Sequence, residues 1–155
     1  MFDKITETPI EEIQGRKPVR VKSKTPLLSV ALAMKEGSRG AAIVEDNEGK
    51  LAGIFTERHL VTKVDHSSQA WLDQSVDEVM DPNPKTIEES HFIREGMAIM
   101  SGDRIRNLPI VDAENRVLGI VTIRDILAHV ASHFPAEFLN LPPDPEHEAS
   151  DRYGG

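Results

Sequence analysis

Displaced by 66 positions, this sequence lies over itself. "IEEI" at 10–13 falls on "VDEV" at 76–79, Pro18 on Pro84, Val21 on Ile87 and Met34 on Met100. The same displacement lays "AGIFTERH" (52–59) on "LGIVTIRD" (118–125), matching Gly53 with Gly119, Thr56 with Thr122 and Arg58 with Arg124. Between these anchors the register reads as slipping to 67, which puts "IVED" (43–46) on "IVDA" (110–113). The residue is regained in the turns, where insertions are best tolerated. A repeat of this period means one supersecondary unit used twice. Two units follow, 10–70 and 76–134, with a tail at 135–155. Each is too small to build a good core alone, so the two are expected to pack on each other.

What fills that core is restricted. Aromatic residues are 5% of the chain against 39% hydrophobic overall, so packing must be aliphatic. The absence of cysteine excludes a disulfide framework and any thiolate-held metal. "MFDKITETPI" is charged and is not a secretory leader. No apolar run approaches 18 residues, so no membrane-spanning helix is expected, and a cytoplasmic protein is the default. The formal charge of −8 argues against a duplex nucleic-acid partner, which needs a net basic face. It leaves room for a small anion held by a few local arginines. Part of the deficit sits in the tail, where Glu137, Asp144, Glu146, Glu148 and Asp151 face only Arg152.

Within the second unit, "TI" (86–87) is a short extended piece after the prolines of "DPNP". Ser90 is placed as the cap of a helix that runs to about Ser101 and is stopped by Gly102. "NLPIVD" (107–112) and "VLGIVT" (117–122) read as strands joined by the polar turn "AENR". The continuous apolar run of the second suits a strand covered on both faces. Thr122 then opens a helix with Ile126, Leu127, Val130, Ala131 and Phe134 at helical spacing. The first unit repeats the order through "LSVALAMKEG", "AAIVED", "KLAGIFT" and "LVTKV". The result is an α+β chain, α/β-like in its alternation, of two β-α-β-β-α units related by a pseudo-twofold axis.

These residues carry a resemblance. "VDEVMDPNPKTI", "MSGDRIRNLPIVD" and "RVLGIVTIRDIL", doubled by the more degenerate first unit, resemble the CBS domain pair, or Bateman module, over about residues 10–134. The resemblance implies a regulatory or sensor module, one that binds an adenosine-containing ligand in clefts between the units. AMP, ADP, ATP, S-adenosyl methionine and a dinucleotide all remain open, and no cofactor is required. It also implies a homodimer, to which the apolar faces of Ile126, Val130 and Phe134 add weight, and a regulated protein that the sequence does not identify. The rival reading is a protein-interaction or structural dimerisation module with vestigial clefts.

Chemistry at the doubled phrase supports either. Backbone N–H groups at the helix start after Thr122 form a weak anion site. Thr122 offers a hydroxyl, Asp125 an acceptor-only carboxylate suited to a vicinal diol such as ribose, and Arg124 a group able to reach phosphate. Taken alone, Thr122-x-x-Asp125 is also a capping box, and the two roles can coexist. The resemblance places Asp125 on ribose and Thr122 near ribose or phosphate. It places adenine against Thr86, Ile87, Arg106, Leu108 and Pro109, although Ile87 and Leu108 read equally well as core. Arg104 and Arg106 read first as solvated side chains, with phosphate contact the lesser reading for each. A possible second cleft at Arg20, Val21, Ala42, Thr56, Arg58 and His59 departs from the pattern. Arg20 stands for Thr86, Ala42 for Pro109 and His59 for Asp125, and a neutral imidazole is a poor diol clamp. The live cleft is therefore placed at the second unit.

Other signals are set aside. His129 and His133 have the i, i+4 spacing of a helical zinc pair, but no third ligand accompanies them, so no metal is expected. No nucleophile elbow, P-loop or acid cluster suggests an enzyme. Gly96 inside a helix points to close packing. Trp71 reads as a pin for the connection between the units. In the tail, Phe138, Leu139 and Leu141 are expected to pack on the body or a partner, with the last ten residues mobile.

Overall fold

A computed structural model describes residues 2–13 and 17–134. The expectations for the tail fall outside these residues. Helix α1 (Phe2–Thr6) precedes β1 (Val19–Lys22), α2 (Leu27–Glu36), β2 (Ala41–Glu45), β3 (Leu51–Thr56) and α3 (Glu57–Thr62). Three 3-10 turns lie at Ile10–Ile13, Gln69–Asp73 and Val76–Glu78, and β4 (Ile87–Glu88), α4 (Ile93–Asp103), β5 (Asn107–Val111), β6 (Val117–Thr122) and α5 (Ile123–Ser132) complete the order. The strands form two three-stranded sheets, β1-β2-β3 and β4-β5-β6. In each, the first pair is parallel and the second antiparallel. The doubled β-α-β-β-α order and the mixed α+β class are as the sequence predicts.

The register is stricter than the sequence reading. Ala41 pairs with Thr56 and Asn107 with Thr122, while Val44 pairs with Gly53 and Ile110 with Gly119. All of these mates are 66 apart, and no slip to 67 exists. Repeated turns hold the register: Asp46 accepts the backbone N–H groups of Glu48 and Lys50, and Asp112 those of Glu114 and Arg116. Gly49 and Asn115 supply the left-handed residue of each turn, at φ 79° and 64°. Pro109 therefore corresponds to Ile43, not to Ala42, and Arg106 to Gly40. The similarity of "IVED" to "IVDA" is local and misleading. Lys50 and Arg116, themselves mates, bridge each other across the two sheets. A residue that meets its own repeat partner lies on the pseudo-twofold axis.

Each sheet is covered on both faces. Ala42, Val44 and Phe55 pack with Leu27, Val30 and Met34 of α2. On the other face Ala41, Ile43 and Ile54 meet Val117 and Ile120 of the second sheet. The leading turn of each unit then crosses over. Ile10 and Ile13 are buried among Ile87, Ile93, Leu108, Ile110 and Ile126, while Val76 and Val79 lie in the core of Leu27, Val30 and Phe55. The hydrogen bonds are reciprocal: Ile10 N–H donates to the His91 carbonyl at 2.8 Å, and Val76 N–H to that of Thr25 at 2.9 Å.

This exchange corrects several local expectations. A bridge to Pro9 holds Phe92 extended, so α4 starts at Ile93 rather than after Ser90. The helix passes through Gly102 and ends at Arg104, whose φ of 54° is left-handed. Gly96 does mark close packing, but against the exchanged turn, since a Cβ there would lie 3.2 Å from Ile10 Cδ1. Ile126 is buried in the chain's own core and Val130 packs against it, which leaves Leu127 and Phe134 as the exposed apolar side chains of that end. Trp71 packs on the first core with its ring edge-on to His66. No described helix is long and apolar enough to cross a membrane.

Candidate functional site

The two sheets leave a cleft of about 690 Å³ where the C-terminal ends of β3 and β6 meet. Repeat mates line it from both sides: Ile54 with Ile120, Thr56 with Thr122, Arg58 with Arg124, and Ala41 with Asn107. The approach to each second strand contributes too. Ser38 and Arg104 take left-handed conformations after their helices, at φ 51° and 54°, and turn 38–41 and 104–107 into the cleft. The second sheet's connection adds Asp81, Pro84 and Lys85. It is held there by paired backbone bonds between Ile54 and Asp81, 3.0 and 2.9 Å long.

This cleft draws on both predicted sets. It brings Arg106, Thr122 and Arg124 together with Thr56, Arg58 and His59. Thr86, Ile87, Leu108, Pro109 and Asp125 do not line it, nor do Arg20, Val21 and Ala42. Ile87, Leu108 and Ala42 are buried core residues. Arg20 acts elsewhere: its guanidinium reaches Glu45 at 3.4 Å and donates to the Val117 carbonyl at 2.9 Å, tying the two sheets together. Ser38, Asp81, Lys85, Ile105 and Asn107 line the cleft without being predicted, and Arg104, for which phosphate contact is the lesser sequence reading, lines it too. The repeated helix-to-strand turn was the signal available for them.

The altered letter of the doubled phrase has a local role in both copies. Asp125 Oδ2 accepts the Thr122 N–H at 2.8 Å and the Thr122 hydroxyl at 2.9 Å, while Asp125 N–H donates to Thr122 Oγ1 at 3.2 Å. This is a reciprocal capping box. His59 does the same work with a nitrogen: its Nδ1 accepts the Thr56 N–H at 3.1 Å, and its own N–H donates to Thr56 Oγ1 at 3.4 Å. Such an acceptor must be unprotonated, so the ring carries its hydrogen on Nε2. Burial is the main influence holding the His59 pKa below its ordinary value, with Lys63 and Arg58 adding to it and Asp81 opposing.

A pH dependence follows. Because the folded pKa lies below the unfolded one, the stabilisation is complete above about pH 6.5 and is lost as the pH falls from there through the folded value. Thermal melts between pH 7.5 and 5.5 should show a larger fall in Tm for the wild type than for His59→Asp, whose carboxylate keeps the cap in the form seen at Asp125. Equal slopes would remove His59 as the cause.

His129 of α5 and His133 at its C-cap lie side by side. The His129 and His133 rings meet edge-on at 4.5 Å, and the described residues contain no cluster of three potential metal ligands.

Comparison with known proteins gives this geometry a context. The sequence profile of the CBS domain matches residues 10–66 and again 76–132. An uncharacterised 17.7 kDa protein of Acidianus ambivalens is 30% identical over 119 residues, 77% of this chain and 71% of that protein. The chain spans only 31–51% of the length of three further curated relatives. Among solved structures, a CBS-domain containing protein from Agrobacterium tumefaciens is 31% identical with a TM-score of 0.70, covering 78% of this chain and 98% of its own. The CBS domain pair of protein MJ0100, solved in complex with 5'-methylthioadenosine and S-adenosyl-L-methionine, is 25% identical with a TM-score of 0.70 and covers 81% and 98%.

Proposed function

The chain belongs to the CBS domain family, and we propose that it is a regulatory module whose cleft between the two units binds an adenosine-containing ligand. The observation that carries this reading is the shared lining. Thr56, Arg58, Thr122 and Arg124 reach one cavity from opposite units, so a ligand there touches both and biases how they pack. Ile54, Ile105, Ile120 and Ile123 offer apolar cover for a base, and threonine hydroxyls and arginines offer partners for ribose and phosphate. Asp125 serves first as the cap that fixes Thr122. Its Oδ2 is engaged there, and the residue acts on the cleft through Thr122 rather than by lining it. The ligands of the MJ0100 pair support an adenosine class. Occupancy of the cleft would then alter a surface read by a regulated protein.

A thermal-shift panel of AMP, ADP, ATP and S-adenosyl methionine on the purified chain tests this. A bound ligand at about 100 times its Kd stabilises by about 2.7 kcal/mol, a plain shift in Tm. A flat panel would leave the interaction-module reading, in which the clefts are vestigial, as the better one.

A further inference from the structure

The cleft lining carries six cationic side chains against two carboxylates, Glu57 and Asp81, on a chain of net charge −8. That is a local excess of four positive charges inside an acidic protein. Salt bridges among the described residues join Arg20 to Glu45, Lys50 to Glu48 and Arg94 to Glu7, and none involves a cleft residue. Arg39 is engaged, donating to the Lys17 carbonyl at 3.3 Å. The side chains of Arg58, Lys85, Arg104, Arg106 and Arg124 have no hydrogen-bond or ion-pair partner among the described residues. Arg104 also sits in the left-handed position after a helix, where glycine is the unstrained choice.

Like charges gathered around a concave surface repel, and the field they make is focused in the cleft. A monophosphate offsets only part of it. The sulfonium of S-adenosyl methionine adds to it. Arg58 and Arg124, repeat mates on opposite walls, act on the same 690 Å³. A polyanion seated by one is therefore in reach of the field of the other.

We propose that the cleft selects one polyphosphate per chain, an adenosine ligand with three or more phosphates, over AMP and S-adenosyl methionine. The phosphate preference stands on the cations alone, and only the adenosine part rests on the function proposed above.

Calorimetric titration without divalent cations separates the two, using ATP, AMP, S-adenosyl methionine and inorganic tripolyphosphate as probes at 50 and 200 mM salt. ATP should bind at least tenfold tighter than AMP, at one per chain, and weaken as salt rises. Tripolyphosphate should compete with it. Arg104→Gly should fold at least as well as the wild type, since it relieves the left-handed backbone, yet lose affinity for ATP and tripolyphosphate more than for AMP. Arg58→Ala combined with Arg124→Ala should weaken ATP at least tenfold. AMP or S-adenosyl methionine binding as tightly as ATP, two ATP per chain, or ATP affinity indifferent to salt and to these substitutions would overturn the proposal while leaving an adenosine site intact. Tripolyphosphate binding as tightly as ATP would uphold the phosphate preference and remove the adenosine.

Discussion

Ile10→Ala is expected to lower folding stability by about 2–5 kcal/mol, the range for truncating a fully buried aliphatic side chain. The loss should appear in the second unit, although Ile10 belongs in sequence to the first. Ile10 is completely buried, and its neighbours are Ile87, Ile93, Leu108 and Ile126 of the second unit. Its backbone is fixed as well, by the bond to the His91 carbonyl and by the adjacent bond from Ile93 N–H to the Thr8 carbonyl. The site cannot collapse easily around the missing atoms, because Gly96 already lies against the Ile10 side chain. Denaturant melts give the magnitude, and hydrogen exchange gives the place. Protection should fall first in β4, α4 and β5 rather than in β1 to β3. A loss confined to the first sheet, or below about 1 kcal/mol, would mean that the exchanged turn is not part of the second core.

That result concerns a feature the sequence held only in part. The repeat was plain, and with it the element order, because Gly53, Thr56 and Arg58 recur with the same spacing as Gly119, Thr122 and Arg124. Which core Ile10 or Val76 enters was not plain. Both turns are apolar and either core would accept either, so the choice is made by chain connectivity and tertiary packing. The cleft was half legible for a similar reason. Reading Arg104 and Arg106 as solvated was correct side chain by side chain, since both are exposed. Their convergence with Arg58 and Arg124 depends on how two sheets close, which no spacing in one dimension states. His59 was judged against a ribose-binding carboxylate and found wanting. Its actual work, accepting the Thr56 N–H, needs only one lone pair, which a neutral imidazole has.

The glycine of the doubled phrase is explained only by the folded chain, and Gly53→Ala should show it. A Cβ at Gly53 would lie 2.6 Å from the Asp81 carbonyl oxygen and 2.6 Å from Met80 Sδ. The methionine end can swing aside. The carbonyl cannot, because it accepts the Ile54 N–H at 3.0 Å and the return bond from Asp81 N–H is 2.9 Å long. Overpacking of this kind costs about 1–3 kcal/mol, against which the stiffer unfolded chain of an alanine variant returns only part. The effect should reach the cleft, since the same connection carries Asp81, Pro84 and Lys85 into its lining. Whatever polyanion the cleft binds should therefore bind more weakly to the variant. Gly102→Ala is the matching control: nothing lies within 4 Å of a Cβ there, and the residue is inside α4. Alanine is favoured over glycine in a helix by up to about 1 kcal/mol, so the same chemical change should raise stability at one site and lower it at the other. If denaturant melts place Gly53→Ala level with Gly102→Ala, the Met80–Asp81 segment does not press on β3, and the wall of the cleft is not held by that contact.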